Sequence, residues 1–127
     1  MRKAEAKFQT EFNKYLREVY QKTCAVELKH TRGRNCLPFS EVKDHQIRAL
    51  QIVNRGVFAY KISDFDMGYK PFDGFCLAGE RAFIVIRYPR FFCMIPVETF
   101  VLERDRSTRK SLTSSRALDL STCTVNC

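Results

Sequence analysis

The stretch Val26-Glu27-Leu28-Lys29-His30-Thr31 follows a segment with helical periodicity and alternates apolar residues with polar or charged ones. Side chains two residues apart on a strand share one face, so the alternation predicts a strand over residues 23–30 with Glu27 and Lys29 on the same side. Residues 2–21 carry apolar side chains at four-residue spacing, which predicts an amphipathic helix before that strand.

The pattern after this strand continues with a basic turn centred on Gly33 and then a second amphipathic helix. Ser40 is a good N-cap for that helix, and Asn54-Arg-Gly56 is a typical stop. Strands are predicted over residues 57–62, 72–77, 81–88 and 91–95, the second and third of these forming a hairpin.

A short last helix is predicted near residues 114–120, with Ser111 or Thr113 as its cap. The whole pattern predicts an α/β fold, with a single mixed β-sheet flanked by helices. We expect one domain over residues 1–120 and a frayed C-terminal tail over residues 121–127.

Composition and charge indicate a folded protein with an anionic partner. The chain has 127 residues, of which 45% are apolar, and it carries 22 Lys and Arg against 14 Asp and Glu, a formal net charge of +8. Such an excess attracts phosphate backbones, although it also serves solubility alone. No apolar stretch approaches the ~20 residues that span a bilayer, so no membrane contact is expected.

Six cysteines could indicate a secreted disulfide scaffold, but the N-terminal residues are too charged for a secretory leader. Several lie inside apolar runs, where free thiols behave as small hydrophobic groups. Cys123 and Cys127 are the only close pair, so structural zinc is not expected. We therefore predict a cytoplasmic, reducing environment.

Glu27 and Lys29 are the first candidates for chemistry. A carboxylate can ligate a hard divalent cation, and an ammonium group beside it can orient the water that attacks a phosphodiester. The alternative interpretation is an ordinary edge strand with a charged outer face. The apolar neighbours Val26 and Leu28 favour a central strand instead.

Asp73 and Gln46 are further candidates. Asp73 lies between aromatic residues in Lys70-Pro-Phe-Asp-Gly-Phe75, where burial is costly without a cation or a hydrogen-bond donor. Because a hard cation needs more than one carboxylate, Asp73 and Glu27 are predicted as a pair, the alternative being a turn aspartate. Gln46, on the second helix, is either a surface residue or close enough to contact the Glu27 strand.

Three segments together resemble the core of Holliday junction resolvases of the PD-(D/E)XK superfamily, both RecU-type and archaeal or viral. They are Glu27-Leu-Lys-His-Thr31, Leu37-Pro-Phe-Ser40 and His45-Gln-Ile-Arg-Ala-Leu50. The resemblance implies a restriction-endonuclease-like fold. In those families the metal-binding Asp precedes the E-x-K strand, whereas Asp73 follows it here, so the resemblance implies a rearranged site.

The resemblance also implies a set of metal ligands. Glu27 and Asp73 would hold Mg²⁺ or Mn²⁺, helped by the Leu28 carbonyl. The families carry a Glu on their first helix, which Glu11 matches best and Glu5 less well. Glu11 would lie in the outer shell or on a second metal ion.

The implied catalytic roles follow from the same resemblance. Lys29 would position the attacking water, and Gln46 would support Lys29 or the scissile phosphate. Contacts to the DNA backbone would come from five basic residues, namely Arg32, Arg34, Lys43, Arg109 and Lys110.

The predicted function is therefore a Mg²⁺-dependent endodeoxyribonuclease that selects branched DNA, acting in recombination or repair. Two coordinated cuts need a symmetric homodimer. One alternative is a catalytically inactive DNA-binding protein that keeps the nuclease fold, and another is an adaptor without nucleic acid. The chain has no G-x-S-x-G, Walker A or H-E-x-x-H motif to support other hydrolase classes.

Overall fold

Four α-helices and eight strands form within the residues that the computed structural model describes, which are 3–20, 24–55, 58–61, 74–77 and 81–127. The helices are α1 (Lys3–Tyr15), α2 (Asp44–Arg55), α3 (Val97–Arg106) and α4 (Ser114–Leu120). The strands are β1 (Ala25–His30), β2 (Cys36–Pro38), β3 (Phe58–Lys61), β4 (Gly74–Leu77), β5 (Ala82–Tyr88), β6 (Phe91–Pro96), β7 (Ser111–Thr113) and β8 (Cys123–Asn126). A π-helical turn (Leu16–Tyr20) follows α1, and a 3-10 turn (Phe39–Glu41) precedes α2.

The largest sheet is mixed, with the strand order β1-β5-β6-β8. Strand β1 runs parallel to β5, while β5 and β6, and β6 and β8, pair antiparallel. The predicted α/β class, a mixed sheet flanked by helices, is confirmed. Among the described residues β1 lies at one end of this order, so the expectation of a central strand is wrong.

The two faces of this sheet are covered by different helices. On β5, Phe83 and Val85 belong to a buried cluster with residues of α1, whereas Ile84 and Ile86 belong to a second cluster with residues of α2, α3 and α4. Val26 and Leu28 of β1 pack against the α1 cluster. Because side chains alternate along a strand, Glu27 and Lys29 lie on the face that carries α2.

Aromatic side chains join α1 to the sheet. The ring of Phe92 on β6 has its centroid 5.8 Å from Phe8, 5.8 Å from Phe12 and 5.4 Å from Tyr15. Phe12 is fully buried and Phe92 is 3% exposed. The amphipathic helix predicted from the spacing of these residues therefore lies on the sheet through an aromatic cluster.

The predicted hairpin between residues 72–77 and 81–88 is wrong. Strand β4 pairs antiparallel with β3, and β5 pairs with β1 and β6 instead. Five consecutive residues of β5, from Ala82 to Ile86, are at most 6% exposed. A strand that is apolar on both faces is most stable as an inner strand of a sheet that is covered on both sides. Strand β5 therefore lies between β1 and β6, although β4 is closer to it in sequence than β1 is.

Two C-terminal elements differ from the sequence expectation. Helix α3 was not predicted, although Val97, Phe100 and Val101 have the spacing of one helical face. The tail predicted to be frayed contains β8, which pairs with β6 over Cys123–Asn126. Cys123 and Val125 turn towards the α1 cluster while Thr124 and Asn126 are exposed, so edge pairing orders this polar segment. The last helix and its Thr113 cap are confirmed.

Five cysteines are free thiols, namely Cys24, Cys36, Cys93, Cys123 and Cys127. Burial raises the pKa of the Cys93 thiol to about 12, so this group is a neutral part of the core. No helix within the described parts of the chain combines the length and the apolar character needed to cross a membrane.

Replacement of Tyr88 with Phe is expected to lower the free energy of unfolding by about 1 kcal/mol. The buried Tyr88 hydroxyl donates to the Leu112 carbonyl oxygen at 2.9 Å, and its loss removes one partner of a buried acceptor. Urea denaturation of the two proteins measures the difference. An unchanged midpoint would contradict a structural role for this hydrogen bond.

Candidate active site

Glu27 and Lys29 lie side by side on β1, as the strand alternation predicts. The Lys29 Nζ is 3.3 Å from Glu27 Oε1, and the side chains of Lys29 and Glu27 are only 17% and 30% exposed, respectively. This partial burial strengthens the attraction between the two charges relative to a fully solvated pair. The pair is therefore a preformed carboxylate–ammonium unit on the α2 face of the sheet.

Gln46 is the third residue that joins this carboxylate–ammonium unit. Its Nε2 donates to Glu27 Oε1 at 3.0 Å, and its Oε1 accepts from the Lys43 backbone N–H at 2.9 Å. The two contacts require opposite ends of the amide, so they fix one orientation of the side chain. Of the two alternatives that the sequence left open for Gln46, the structure shows the contact with the Glu27 strand.

The contact with Lys43 is also a helix cap. Helix α2 begins at Asp44, which makes Gln46 its third residue and Lys43 its N-cap. A Gln at the third position that accepts from the N-cap N–H is one half of a capping box. The prediction of Ser40 as the cap is wrong, because Ser40 lies in the preceding 3-10 turn. Capping thus orients the amide that holds Glu27.

The basic turn after β1 is held by its own contacts. Arg34 N–H donates to the Thr31 carbonyl at 3.3 Å, and Arg32 and Gly33 both have positive φ, 57° and 86°. Two positive φ angles are the signature of a type I′ turn, which costs a non-glycine residue about 1–2 kcal/mol. The Arg32 guanidinium donates to Glu5 on α1 at 2.9 Å, which helps to fix the turn.

His30 supports this turn. Its Nδ1 accepts from the Arg32 backbone N–H at 2.8 Å, and its ring packs edge-on against Phe8 with centroids 6.0 Å apart. Burial, together with the nearby Arg87 charge, lowers the pKa of His30, which favours the neutral ring that this hydrogen bond requires. His30 therefore faces α1 and not Glu27.

The Leu28 carbonyl points to the side of β1 that faces away from β5. Ala25 N–H and Thr31 N–H donate to the Arg81 and Arg87 carbonyls of the β5 segment at 2.7 and 3.1 Å. Backbone groups of alternate residues point to the same side of a strand, so the odd-numbered residues bond to β5 and Leu28 does not. Its carbonyl is thus not used in the pairing of β1 with β5.

Glu11 is not brought to this site. It lies on α1, where its Oε2 is 3.6 Å from Arg87 Nε, and Arg87 follows Ile86 on the opposite face of β5. The sheet therefore separates Glu11 from Glu27, which contradicts an outer-shell role. Glu5, the weaker candidate, pairs with Arg32 instead. Sequence reasoning missed this pairing because the partners are 27 residues apart.

Asp73 lies outside the described residues, so its distance from Glu27 stays a prediction. On the described side of β1, the residue that pairs with Glu27 is Ile84, and the one that pairs with Lys29 is Ile86. Among the described residues no three His, Cys, Asp or Glu side chains are grouped as a metal site. The Glu27 carboxylate and the Leu28 carbonyl suit a hard cation, but a complete site needs further oxygen ligands.

The predicted DNA-contacting residues are divided between the two faces of the sheet. Arg32 pairs with Glu5 of α1, whereas Lys43, Arg109 and Lys110 lie in segments that adjoin α2. Lys43 Nζ donates to the Ser40 carbonyl at 3.1 Å, at the start of α2. Arg34 lines a cavity of about 200 Å³ beside the turn. Arg109 and Lys110 lie between α3 and β7, and the Lys110 carbonyl accepts from Phe39 N–H at 3.0 Å.

Comparisons with protein-family models, with curated proteins and with solved structures gave no significant match.

Proposed function

We propose that this chain is a metal-dependent endodeoxyribonuclease of the PD-(D/E)XK type, with a restriction-endonuclease-like fold. The observation that carries the proposal is the shared contact on Glu27 Oε1, which receives Gln46 Nε2 at 3.0 Å and Lys29 Nζ at 3.3 Å. An E-x-K strand followed by a helix that carries a Gln is the arrangement that the resemblance to junction resolvases implies.

The metal ion, Mg²⁺ or Mn²⁺, would supply Lewis acidity and lower the pKa of a bound water. Both contacts of Glu27 with Gln46 and Lys29 use Oε1, so Oε2 would be the oxygen that holds the cation. The Leu28 carbonyl would add a neutral oxygen, and Asp73 would add the second carboxylate. This ligand set, all oxygen, is what Mg²⁺ prefers.

Lys29 has two roles in this reaction. Its ammonium group is held near Glu27, where it orients the attacking water by donating a hydrogen bond. It also stabilises the negative charge that develops on the phosphate in the transition state. A partly buried ammonium group performs the second role better than a solvated one, because the surrounding dielectric is lower.

Gln46 is a positioning residue in this proposal, because it acts on Glu27 and not on the substrate. Its place in the first turn of α2 brings the amino end of that helix towards the same site. Exposed N–H groups at a helix N-terminus favour an anion, and a scissile phosphate is such an anion.

The substrate would be DNA, selected by structure. The formal net charge of +8 and the basic residues near the α2 face favour backbone contacts that do not read bases. Cleavage of a branched junction at two symmetric points would need a homodimer.

A catalytically inactive DNA-binding protein is the second candidate. It is favoured by one observation, that the described side chains form no group of three or more His, Cys, Asp or Glu residues that could hold a metal ion. Such a protein would keep the positive surface and bind DNA with strong salt dependence without cutting it.

Cleavage of labelled four-way junction, duplex and single-stranded DNA, with Mg²⁺, Mn²⁺ or EDTA, distinguishes the two candidates. We expect metal-dependent cutting by the wild type and its loss in Asp73→Ala without weaker binding. Salt-sensitive binding with no cutting under any metal would support the inactive protein. An Asp73→Ala variant that cuts at the wild-type rate would remove Asp73 from the site.

Two substitutions of Gln46 separate its cap from its contact with Glu27. Gln46→Ala removes both, so we expect the cleavage rate to fall roughly 10- to 100-fold and the free energy of unfolding to fall by about 0.5–1 kcal/mol. Gln46→Glu keeps an acceptor for Lys43 N–H but repels Glu27. Cleavage kinetics and urea denaturation should therefore show a stable, slow Gln46→Glu enzyme. If Gln46→Glu cleaved DNA at the wild-type rate, the role of Gln46 would be limited to capping α2.

A further inference from the structure

A polar cleft of about 490 Å³ lies between the C-terminal end of α3, the segment that follows it, β7 and the first turn of α4. We call it the arginine cleft, and it is defined by Glu103, Arg106, Ser107, Thr108, Arg109 and Arg116. Glu27, Lys29 and Gln46 do not line it, so it is distinct from the candidate active site.

One arginine of the cleft is occupied by the protein's own carboxylates. Arg116 donates from Nε and Nη2 to Glu103 at 2.9 and 3.0 Å, and its Nη1 is 3.9 Å from Asp119. The hydrogen bond from Arg116 lowers the pKa of Glu103, so this pair is fully ionised at neutral pH. Arg116, Glu103 and Asp119 thus form one wall of the cleft, in which the charge of Arg116 is already balanced by carboxylates.

The other two arginines are available to a ligand. Arg106 and Arg109 are exposed, and neither forms an ion pair with a carboxylate of the described residues. Between them the Ser107 hydroxyl accepts from the Arg109 backbone N–H at 3.0 Å, which holds the segment in a tight turn. Two guanidinium groups beside hydroxyl groups are the donors that bind phosphate oxygens.

The arginine cleft is connected to the candidate active site through short contacts. Arg104, two residues before Arg106, is 3.5 Å from Asp44 at the start of α2. The carbonyl of Lys110 accepts from Phe39 N–H in the 3-10 turn that precedes α2. The cleft and Gln46 therefore lie at the same end of α2.

We propose that the arginine cleft binds backbone phosphates of the DNA arm that extends beyond the cleavage point, through Arg106 and Arg109. This inference rests on the proposed function for the identity of the polymer. It deepens that function by giving the enzyme a second contact with its substrate, which favours DNA with an arm long enough to reach both places. Specificity for structure, and not for sequence, follows from contacts of this kind.

The test is the salt dependence of junction binding in EDTA, where no cutting occurs. We compare the double variant Arg106→Gln, Arg109→Gln with a control that removes the same charge from the opposite face of the sheet. The control is Lys7→Gln, Lys14→Gln, since both lysines are exposed on α1. Fluorescence anisotropy of a labelled four-way junction over a KCl series gives the slope of log K against log salt.

We expect the slope to decrease in magnitude by about 1.8 in the cleft variant, at about 0.9 for each phosphate that the protein no longer neutralises, and affinity to fall roughly tenfold or more. The control should keep the wild-type slope within about 0.5. An equal decrease in both variants, or an unchanged slope in the cleft variant, would overturn the proposal. Thermal denaturation confirms that both variants fold.

This measurement is independent of catalysis. If the chain binds DNA but never cuts it, the proposed nuclease fails while the slopes still decide the role of the cleft. If the chain does cut, the slopes are still measured in EDTA and decide the role of the cleft in the same way.

Discussion

Replacement of Glu27 with Gln is expected to abolish metal-dependent cleavage, with a loss of at least about 10³-fold in rate. The carboxamide keeps the shape of Glu27 and still accepts from Gln46, but it lacks the charge that binds a hard cation. DNA binding in EDTA should be retained or strengthened, because the substitution removes a negative charge from a surface that contacts phosphate. Single-turnover cleavage and anisotropy measure the two quantities.

The matched control for this experiment is Glu18→Gln. Glu18 is an exposed acid in the π-helical turn after α1, on the opposite side of the sheet. It changes the net charge by the same amount without reaching the α2 face. A comparable loss of cleavage in both variants would point to a general effect of charge and would argue against Glu27 as a metal ligand.

Replacement of Phe92 with Ala is expected to have the largest effect on stability, lowering the free energy of unfolding by about 3–5 kcal/mol. Phe92 is 3% exposed and contacts three aromatic rings of α1, so truncation leaves a cavity between helix and sheet. Domains are stable by only about 5–15 kcal/mol, so this change removes a large share. Urea denaturation with an unchanged slope gives the difference.

Val19→Ala provides the comparison for this prediction. Val19 is 66% exposed, and its truncation should change the free energy of unfolding by less than about 0.5 kcal/mol. If Phe92→Ala were as mild as Val19→Ala, α1 would not be held to the sheet by the aromatic cluster.

The sequence predicted the helices and turns that are stabilised by residues close to one another in the chain. The four-residue spacing of Phe8 and Phe12 predicted α1, Gly33 predicted the turn, and Thr113 predicted the start of α4. In each of these the residues that interact are within about one helical turn of one another. The Glu27–Lys29 pair of the candidate site also depends on residues close in sequence, because the alternation of side chains on β1 alone brings Glu27 beside Lys29.

Other parts of the candidate site depend on packing. The sequence indicated Gln46 as a residue able to reach the strand, but the 3.0 Å contact exists because α2 starts at Asp44 and packs on the Glu27 face. Glu11 matched the expected pattern on the first helix, yet the sheet separates it from Glu27. A pattern of residues does not state which face of a sheet a helix covers.

The sequence by itself determined the α/β class, the helical and extended periodicities, the basic charge and the pairing of Glu27 with Lys29. The tertiary structure alone decided that β5 pairs with β1 and β6 rather than β4, that the segment Cys123–Asn126 becomes an edge strand, and that Arg106 and Arg109 border a cleft. The physical reason is the distance along the chain over which each kind of interaction acts. Periodicity and capping act between neighbours in sequence, whereas strand partners and helix faces are chosen by the burial of apolar surface over the whole chain.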